Sequence, residues 1–272
     1  MTGEIKRILV ALDASAHSRA ALEAAAQLAE RLNAELLGVF VQDLELLQLA
    51  QLPFAREVGL TSAGRRRIDP QSMELALRAQ AETARSAFDS IARSHHVHSS
   101  FRIARGNVIR ELVAASAEVD LVALGAAGHM EFAGRRVGST VRGICAGARC
   151  SVLIEQHTKR AGASVLLLYE DSPGADAALA RAEQLAATND AELVIVLTGA
   201  ATAGDTLRER LERSRHRSSR VRVISLDGDR HALRALAVQQ RSGLLLIAHD
   251  SPLLAREPEL LGGLDIPILL VR

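Results

Sequence analysis

The sequence predicts an α/β fold made of two tandem units, each with five parallel strands and helices packed against them. Three observations predict it. Short, nearly continuous apolar runs alternate with stretches of helical periodicity, as in sheets whose strands are buried on both faces. Hydrophobic residues make up 48% of the 272 positions but aromatics only 2%, with no Trp, so the core must be packed from Ala, Leu, Val and Ile. A shift of 157 residues sets Gln27, Leu28 and Ala29 on Gln184, Leu185 and Ala186, and Ala34, Glu35 and Leu36 on Ala191, Glu192 and Leu193, with no gap between. The same register pairs Ser15 with Ser172 and Leu22 with Leu179.

The elements follow in order. Residues 5–12 form an apolar run ending at Asp13, a buried parallel strand. Ser15 or Ser18 can cap the helix that follows, whose Leu22, Ala25, Leu28, Ala29 and Leu32 recur at helical spacing as far as Asn33. A second strand at 35–41 completes a right-handed βαβ unit and brings Asp13 and Val41 to the carboxyl edge, where open α/β sheets bind ligands. Residues 44–70 lack a clear pattern, carry Arg65, Arg66 and Arg67, and read as a long loop leaving that same edge. A long amphipathic helix at 71–93 precedes His95, His96 and His98, which read as a surface turn because neighbouring residues on extended chain face opposite ways. A third strand at about 97–104, a helix at 108–117 after Gly106, a fourth strand at 119–124 and a fifth at 151–155 complete the first unit.

The fourth strand runs into a glycine-rich stretch, Gly125-x2-Gly128-x9-Gly138-Ser139, followed by Thr140 and an apolar helix. Strand, glycine-rich turn and helix N-terminus make an arrangement that can hold phosphate, since glycines let backbone N–H groups approach the oxygens and the helix dipole favours the anion. Glycines after a strand can also serve only to turn the chain. No Gly-Lys-Ser/Thr sequence occurs, and the only lysines are Lys6 and Lys159, so backbone amides, Ser139, Thr140 and Arg135 or Arg136 would carry the binding.

This spacing resembles the ATP-binding signature of the universal stress protein family, Gly-x2-Gly-x9-Gly-Ser/Thr. The strand ending at Asp13, Val41 at the end of a second strand and Gly106 before a helix fit the same family, so the resemblance covers most of residues 4–155. It implies a Rossmann-like fold of the adenine nucleotide alpha hydrolase type, with ATP (or ADP or AMP) in the first unit and a regulatory or stress-protective role. By that resemblance Gly125, Gly128, Gly138, Ser139 and Thr140 hold phosphates, Asp13 takes ribose or Mg2+, and Val41 packs on adenine. Ala11, Leu12, Leu124 and His129 complete the expected binding set.

The second unit is altered where the ligand would sit. Asp13 falls opposite Glu170, and the run at 244–248 leads into His249, Asp250 and Ser251 with no Gly-x2-Gly spacing. The expectation is therefore a nucleotide-binding domain at 1–156 and a degenerate domain at 164–272 that lacks the phosphate loop and forms an intramolecular pseudo-dimer with it. Three consecutive residues cannot converge as a hydrolase triad, so His249, Asp250 and Ser251 are not read as catalytic. Two rival functions stay open: a slow ATPase or nucleotidyl transferase, and an interaction scaffold without nucleotide.

Formal net charge is +1, so no overall field points to nucleic acid or an anionic membrane. Cys145 and Cys150 are too few for a disulfide framework or a zinc site. No signal-like segment or membrane span is apparent, and a cytoplasmic protein is expected, with an unidentified protein partner and scope for a further homodimer.

Overall fold

The computed structural model describes residues 4–52, 56–58, 65–67, 69–126, 138–156, 164–198, 207, 211, 220–226, 230–240 and 242–272. In the first half these form β1 (Arg7–Leu12), α1 (Ala16–Leu32), β2 (Glu35–Asp43), α2 (Leu44–Gln51), β3 (Arg56–Val58), β4 (Arg65–Arg67), α3 (Pro70–Ser94), β5 (Ser99–Gly106), α4 (Val108–Ala115), β6 (Leu121–Gly125), α5 (Ser139–Gly147) and β7 (Ser151–Glu155). The second half follows with β8 (Ser164–Tyr169), α6 (Ala175–Thr188), β9 (Glu192–Leu197), β10 (Val221–Ser225), α7 (Arg230–Gln239), β11 (Ser242–Ala248), α8 (Pro252–Arg256), α9 (Leu260–Gly263) and β12 (Ile268–Val271).

Ten strands make one sheet in the order β10-β9-β8-β11-β12-β7-β6-β1-β2-β5. Numbered within its own half, each set of five follows the order 3-2-1-4-5. Neighbours within each set are parallel, and among the described residues the one antiparallel pair in this sheet is β7 with β12. The shift of 157 read from the sequence carries Arg7–Leu12 onto Ser164–Tyr169. It also relates the turns that follow the first helices. Asn33 and Asp190 both adopt the left-handed conformation, at φ 51° and 48°, and the next residue donates to the helix five positions back, Ala34 N to Ala29 O and Ala191 N to Ala186 O, each at 2.9 Å.

The described residues of the 44–70 stretch are more regular than its composition suggests. Asp43 caps α2, its Oδ1 accepting from Glu45 N at 2.9 Å, and Leu47 and Ala50, three residues apart, supply the buried stripe. β3 and β4 pair antiparallel, which puts Arg65, Arg66 and Arg67 in a strand. Asp69 then caps α3 by accepting from Ser72 N at 3.0 Å. At the far end of α3, His96 turns the chain at φ 53°, and His95 Nδ1 lies 2.6 Å from Glu30 Oε2.

The seam between the halves is locally two-fold. Ile154 pairs with Ile268, Leu153 with Leu269 and Val152 with Leu270, so the pairing maps onto itself about Leu153 and Leu269, which are 269 − 153 = 116 residues apart. The same shift relates two bracing contacts. Gln156 Nε2 donates to Leu261 O at 2.6 Å, and Arg272 Nη2 donates to Cys145 O at 3.1 Å, with 156 + 116 = 272 and 145 + 116 = 261. Arg272 also reaches Ala146 O at 3.4 Å, setting a cation on the carbonyls that end α5. The apolar cores on both faces run unbroken across the seam, Leu153 and Leu269 on the α1 and α6 face, Val152, Ile154, Ile268 and Leu270 on the other.

Truncating Leu153 leaves a cavity at the point where the halves meet. Leu153→Ala should lower the unfolding free energy by about 2–5 kcal/mol. Hydrogen exchange should speed up in β7 and β12 together, since each supplies the other's ladder.

Candidate functional site

Those of the expected site residues that the structure describes lie toward the carboxyl edge of the first five strands. Leu12 pairs with Phe40, so the next residues in register are Asp13, just past the end of β1, and Val41, two residues before the end of β2. Strand alternation points Ala11 and Asp13 to the face shared by Val39 and Val41. Ala11 and Val41 are half-buried and pack against the cluster that contains Leu124. Leu12 points the other way, buried in the core under α1, and brings only its backbone to the edge.

Asp13 opens the turn into α1. Its Oδ1 accepts from Ser15 N at 3.0 Å, Ala14 takes φ 60°, and Ser15 Oγ accepts from Ser18 N at 3.1 Å to cap the helix. Of the two serines that could cap α1, Ser15 does so. The turn engages one oxygen of Asp13; among the described residues no hydrogen bond reaches the other.

Gly125 ends β6 against the first turn of α1. A Cβ built there would lie 2.6 Å from the carbonyl carbon of His17, which leaves no room for a side chain. The second half meets the same contact with the residues exchanged. Ile8 pairs with Leu121 and Val165 with Leu244, so Gly125 corresponds to Ala248, while His17 corresponds to Gly174 (17 + 157). A Cβ on Gly174 would lie 3.3 Å from the Ala248 Cβ. Each half keeps one glycine at this approach, on the strand in one and on the helix in the other.

The two legs of the glycine-rich segment are tied together. Gly138 N donates to Ala126 O at 3.1 Å, and Ala126 N donates to Glu155 O at 2.8 Å. Gly138 is the N-cap of α5 and has no side chain to satisfy the first-turn amides. Its φ of −64° and ψ of 154° are open to any residue, so the turn itself does not demand glycine there. Ser139 is exposed and Thr140 half-buried at the same helix end. Gly128 and His129 lie outside the described residues.

Two further glycines set the position of α5. A Cβ on Gly143 would lie 2.7 Å from Ile109 Cγ2, and one on Gly147 would lie 2.9 Å from Val113 Cγ2, so α5 nests against α4 along a glycine stripe. Sequence reading passed over this pair; its signal is the spacing of four inside a helix. At the start of α4, Asn107 accepts from Arg110 N at 3.1 Å and donates to Glu45 Oε1 at 2.7 Å, joining this helix to α2 at the same edge.

Burial pushes the Glu155 carboxyl, at the end of β7 beside Gly125, up to about 7. It also pushes the thiols of Cys145 and Cys150 up, to about 12 and about 11, away from thiolate reactivity. Among the described residues no group of three or more His, Cys, Asp or Glu is placed to hold a metal ion, and no helix is long and apolar enough to cross a membrane. His249 is exposed, Asp250 accepts from Gly174 N at 3.0 Å, and Ser251 caps α8, so these three have separate structural positions.

The sequence profile of the universal stress protein family matches residues 4–155, more than half of the chain. The chain belongs to the universal stress protein family. No curated protein matches it significantly in sequence. A universal stress protein from Archaeoglobus fulgidus DSM 4304 has the same fold over 98% of this chain and 96% of its own, with a TM-score of 0.75 at 18% identity. A functionally unknown protein from Pseudomonas aeruginosa PAO1 follows it over 98% of this chain and 92% of its own, with a TM-score of 0.63 at 13% identity. UspA, a universal stress protein from Lactobacillus plantarum, aligns with 56% of this chain over 98% of its own length, with a TM-score of 0.43 at 23% identity. For this universal stress protein the likenesses to the Archaeoglobus fulgidus and Pseudomonas aeruginosa structures show the fold.

Two outcomes follow from the site's geometry. Gly125→Ala should destabilise the protein, and His17→Gly should leave most of that loss in place, because the His17 backbone carbonyl is among the atoms a Cβ would meet, as a double-mutant cycle followed by chemical denaturation would show. Glu155 keeps its proton in the folded state up to about pH 7, whereas the unfolded carboxyl releases it near 4.5. The folded state then binds more protons across that window, so stability should fall as pH rises from 4.5 to 7, by up to about 3 kcal/mol. Glu155→Gln should flatten that part of the profile.

Proposed function

We propose that this universal stress protein binds an adenine nucleotide, ATP or its ADP or AMP products, at the carboxyl edge of the first five strands and acts as a cytoplasmic regulator rather than a catalyst. The observation that carries the reading is Gly138, a helix N-cap with ordinary dihedrals that leaves the first-turn amides of α5 without a side-chain cap. A glycine that the backbone does not require makes sense if the space before it is needed. Oxygens of a phosphate chain would take those amides with the hydroxyls of Ser139 and Thr140, and the helix dipole would favour their charge.

The remaining positions fit the rest of the ligand. Ala11, Val41 and Leu124 offer an apolar wall on one face for a base, and the oxygen of Asp13 not used in the turn can accept from ribose hydroxyls. Mg2+, when it accompanies the nucleotide, would offset phosphate charge, with Asp13 as the carboxylate placed to share it. In this reading residues 1–156 form the binding domain, and residues 164–272 form a domain without the phosphate loop that serves as a fixed partner in a pseudo-dimer. The surface around the nucleotide would then present its bound state to another protein.

Denaturing the freshly purified protein and analysing the released small molecules by mass spectrometry, with calorimetric titration of Mg2+ and ATP, tests this. One equivalent of adenine nucleotide per chain is expected. Gly138→Val should abolish binding while thermal stability stays near that of the parent, because the backbone there accepts any residue. Asp13→Ala should weaken binding about tenfold or more, the loss expected for hydrogen bonds to a charged group. Absence of binding in the parent protein would leave a ligand-free scaffold.

A further inference from the structure

The second half has its own carboxyl edge, and the residues that match the proposed ligand positions there are not simply missing. Asp13 corresponds to Glu170 (13 + 157) and Val41 to Thr198 (41 + 157). In the sequence Ser251 stands three residues beyond Ala248, as Gly128 stands three beyond Gly125. Glu170, Thr198 and Ser251 come together in one hydrogen-bonded cluster. The Ser251 hydroxyl donates to Glu170 Oε2, and Thr198 Oγ1 donates to Glu170 Oε1 at 3.2 Å. Leu253 N, in the first turn of α8, donates to the same carboxylate at 3.2 Å to Oε1 and 3.4 Å to Oε2.

We infer that Glu170 is a built-in anion that closes the second half's site, its carboxylate standing where a ligand's negative group would otherwise be held. Naming the displaced ligand as a nucleotide rests on the reading above; the closure itself does not. Several features argue for a filled site over a merely decayed one. Glu170 is only 6% exposed, and burying a carboxylate is costly unless donors surround it, as they do here. The donors come from two separate places in the chain: Thr198, just past β9, and the start of α8, through its cap Ser251 and its first-turn amide. The first half shows the contrast. Asp13 is one methylene shorter, about 1.5 Å less reach, and spends an oxygen on its own turn at Ser15 N. Val41 carries no donor that could draw it across. One lengthened side chain and two hydroxyls make the second half's edge self-satisfied.

The closure has a functional corollary. The second half is held in one state whatever the ligand concentration, so any response of the chain to ligand must begin in the first half and be read against a fixed neighbour.

Chemical rescue tests the inference on the full-length protein, with acetate as the probe. Glu170→Ala should lower the melting temperature by roughly 5–10 °C, as loss of several charge-assisted hydrogen bonds implies for a chain of this size. Acetate at about 100 mM should restore a few degrees of that loss relative to chloride at equal ionic strength, and should leave the parent unchanged. Thr198→Val should lower the melting temperature of the parent but have little further effect in the Glu170→Ala background. If Glu170→Ala does not fold, Glu170→Gln takes its place in the cycle with Thr198→Val, because a Gln amide sets its own donor against those already there. A Glu170 variant that melts with the parent, equal effects of acetate and chloride on Glu170→Ala, or additive losses from Thr198 and Glu170 would overturn the closure. None of these readouts involves nucleotide, so loss of ATP binding by the first half would not register in them.

Discussion

The antiparallel pairing of β7 with β12 is the constraint on which the rest of the structure depends. Every other neighbouring pair in the ten-stranded sheet is parallel, and parallel strands reach one another only through crossover connections. Each half could complete its five strands alone, yet each would then end on β7 or β12 as an exposed edge of apolar residues. Such an edge is a template for association. Pairing the two edges removes both at once, and the local two-fold at Leu153 and Leu269 lets the same side chains serve each way. Gln156 and Arg272 repeat that symmetry in polar form, each bracing a helix of the opposite half. Apolar clusters on both faces then continue across the join, so the seam is cored like the rest of the sheet.

That geometry decides what each half can present. Because the seam is antiparallel, the carboxyl edge of one half lies at the same side of the sheet as the amino edge of the other, and the two candidate sites cannot merge into one cleft. They are separate places with separate chemistry. At one, α5 begins on Gly138, which has no side chain to cap its first-turn amides. At the other, the carboxylate of Glu170 answers α8. The same strand order and the same helix-ending turns at Asn33 and Asp190 support both outcomes, so the difference lies in a handful of side chains and not in the scaffold.

Much of this was legible in the sequence, for physical reasons. Buried parallel strands announce themselves as apolar runs, and a repeat that holds one register from Ser15 to Leu36 leaves little choice about architecture. The Gly125-x2-Gly128-x9-Gly138-Ser139 spacing pointed to the edge where Asp13, Val41 and the start of α5 meet. What escaped were contacts that depend on the third dimension. The nesting of Gly143 and Gly147 on Ile109 and Val113 requires knowing that α4 lies beside α5. The order in 44–70 escaped because its leucines obscure the short stripe of Leu47 and Ala50. Glu170 was visible as a departure from Asp13, but its bonds to Thr198 and Ser251 join residues 28 and 81 positions away, beyond any local pattern.

The exchange of glycine between strand and helix, Gly125 with His17 in one half and Ala248 with Gly174 in the other, bears on why the halves are fused. An assembly of two identical chains must accept every mutation twice, once on each side of its axis, so a change that suits one site is imposed on both. Joining the copies in a single polypeptide lifts that obligation. Each copy can then change along its own route, as the glycine at this approach does, on the strand in one half and at the helix N-cap in the other. Asymmetry that a homodimer could reach only transiently, through binding, becomes a permanent property encoded in the chain.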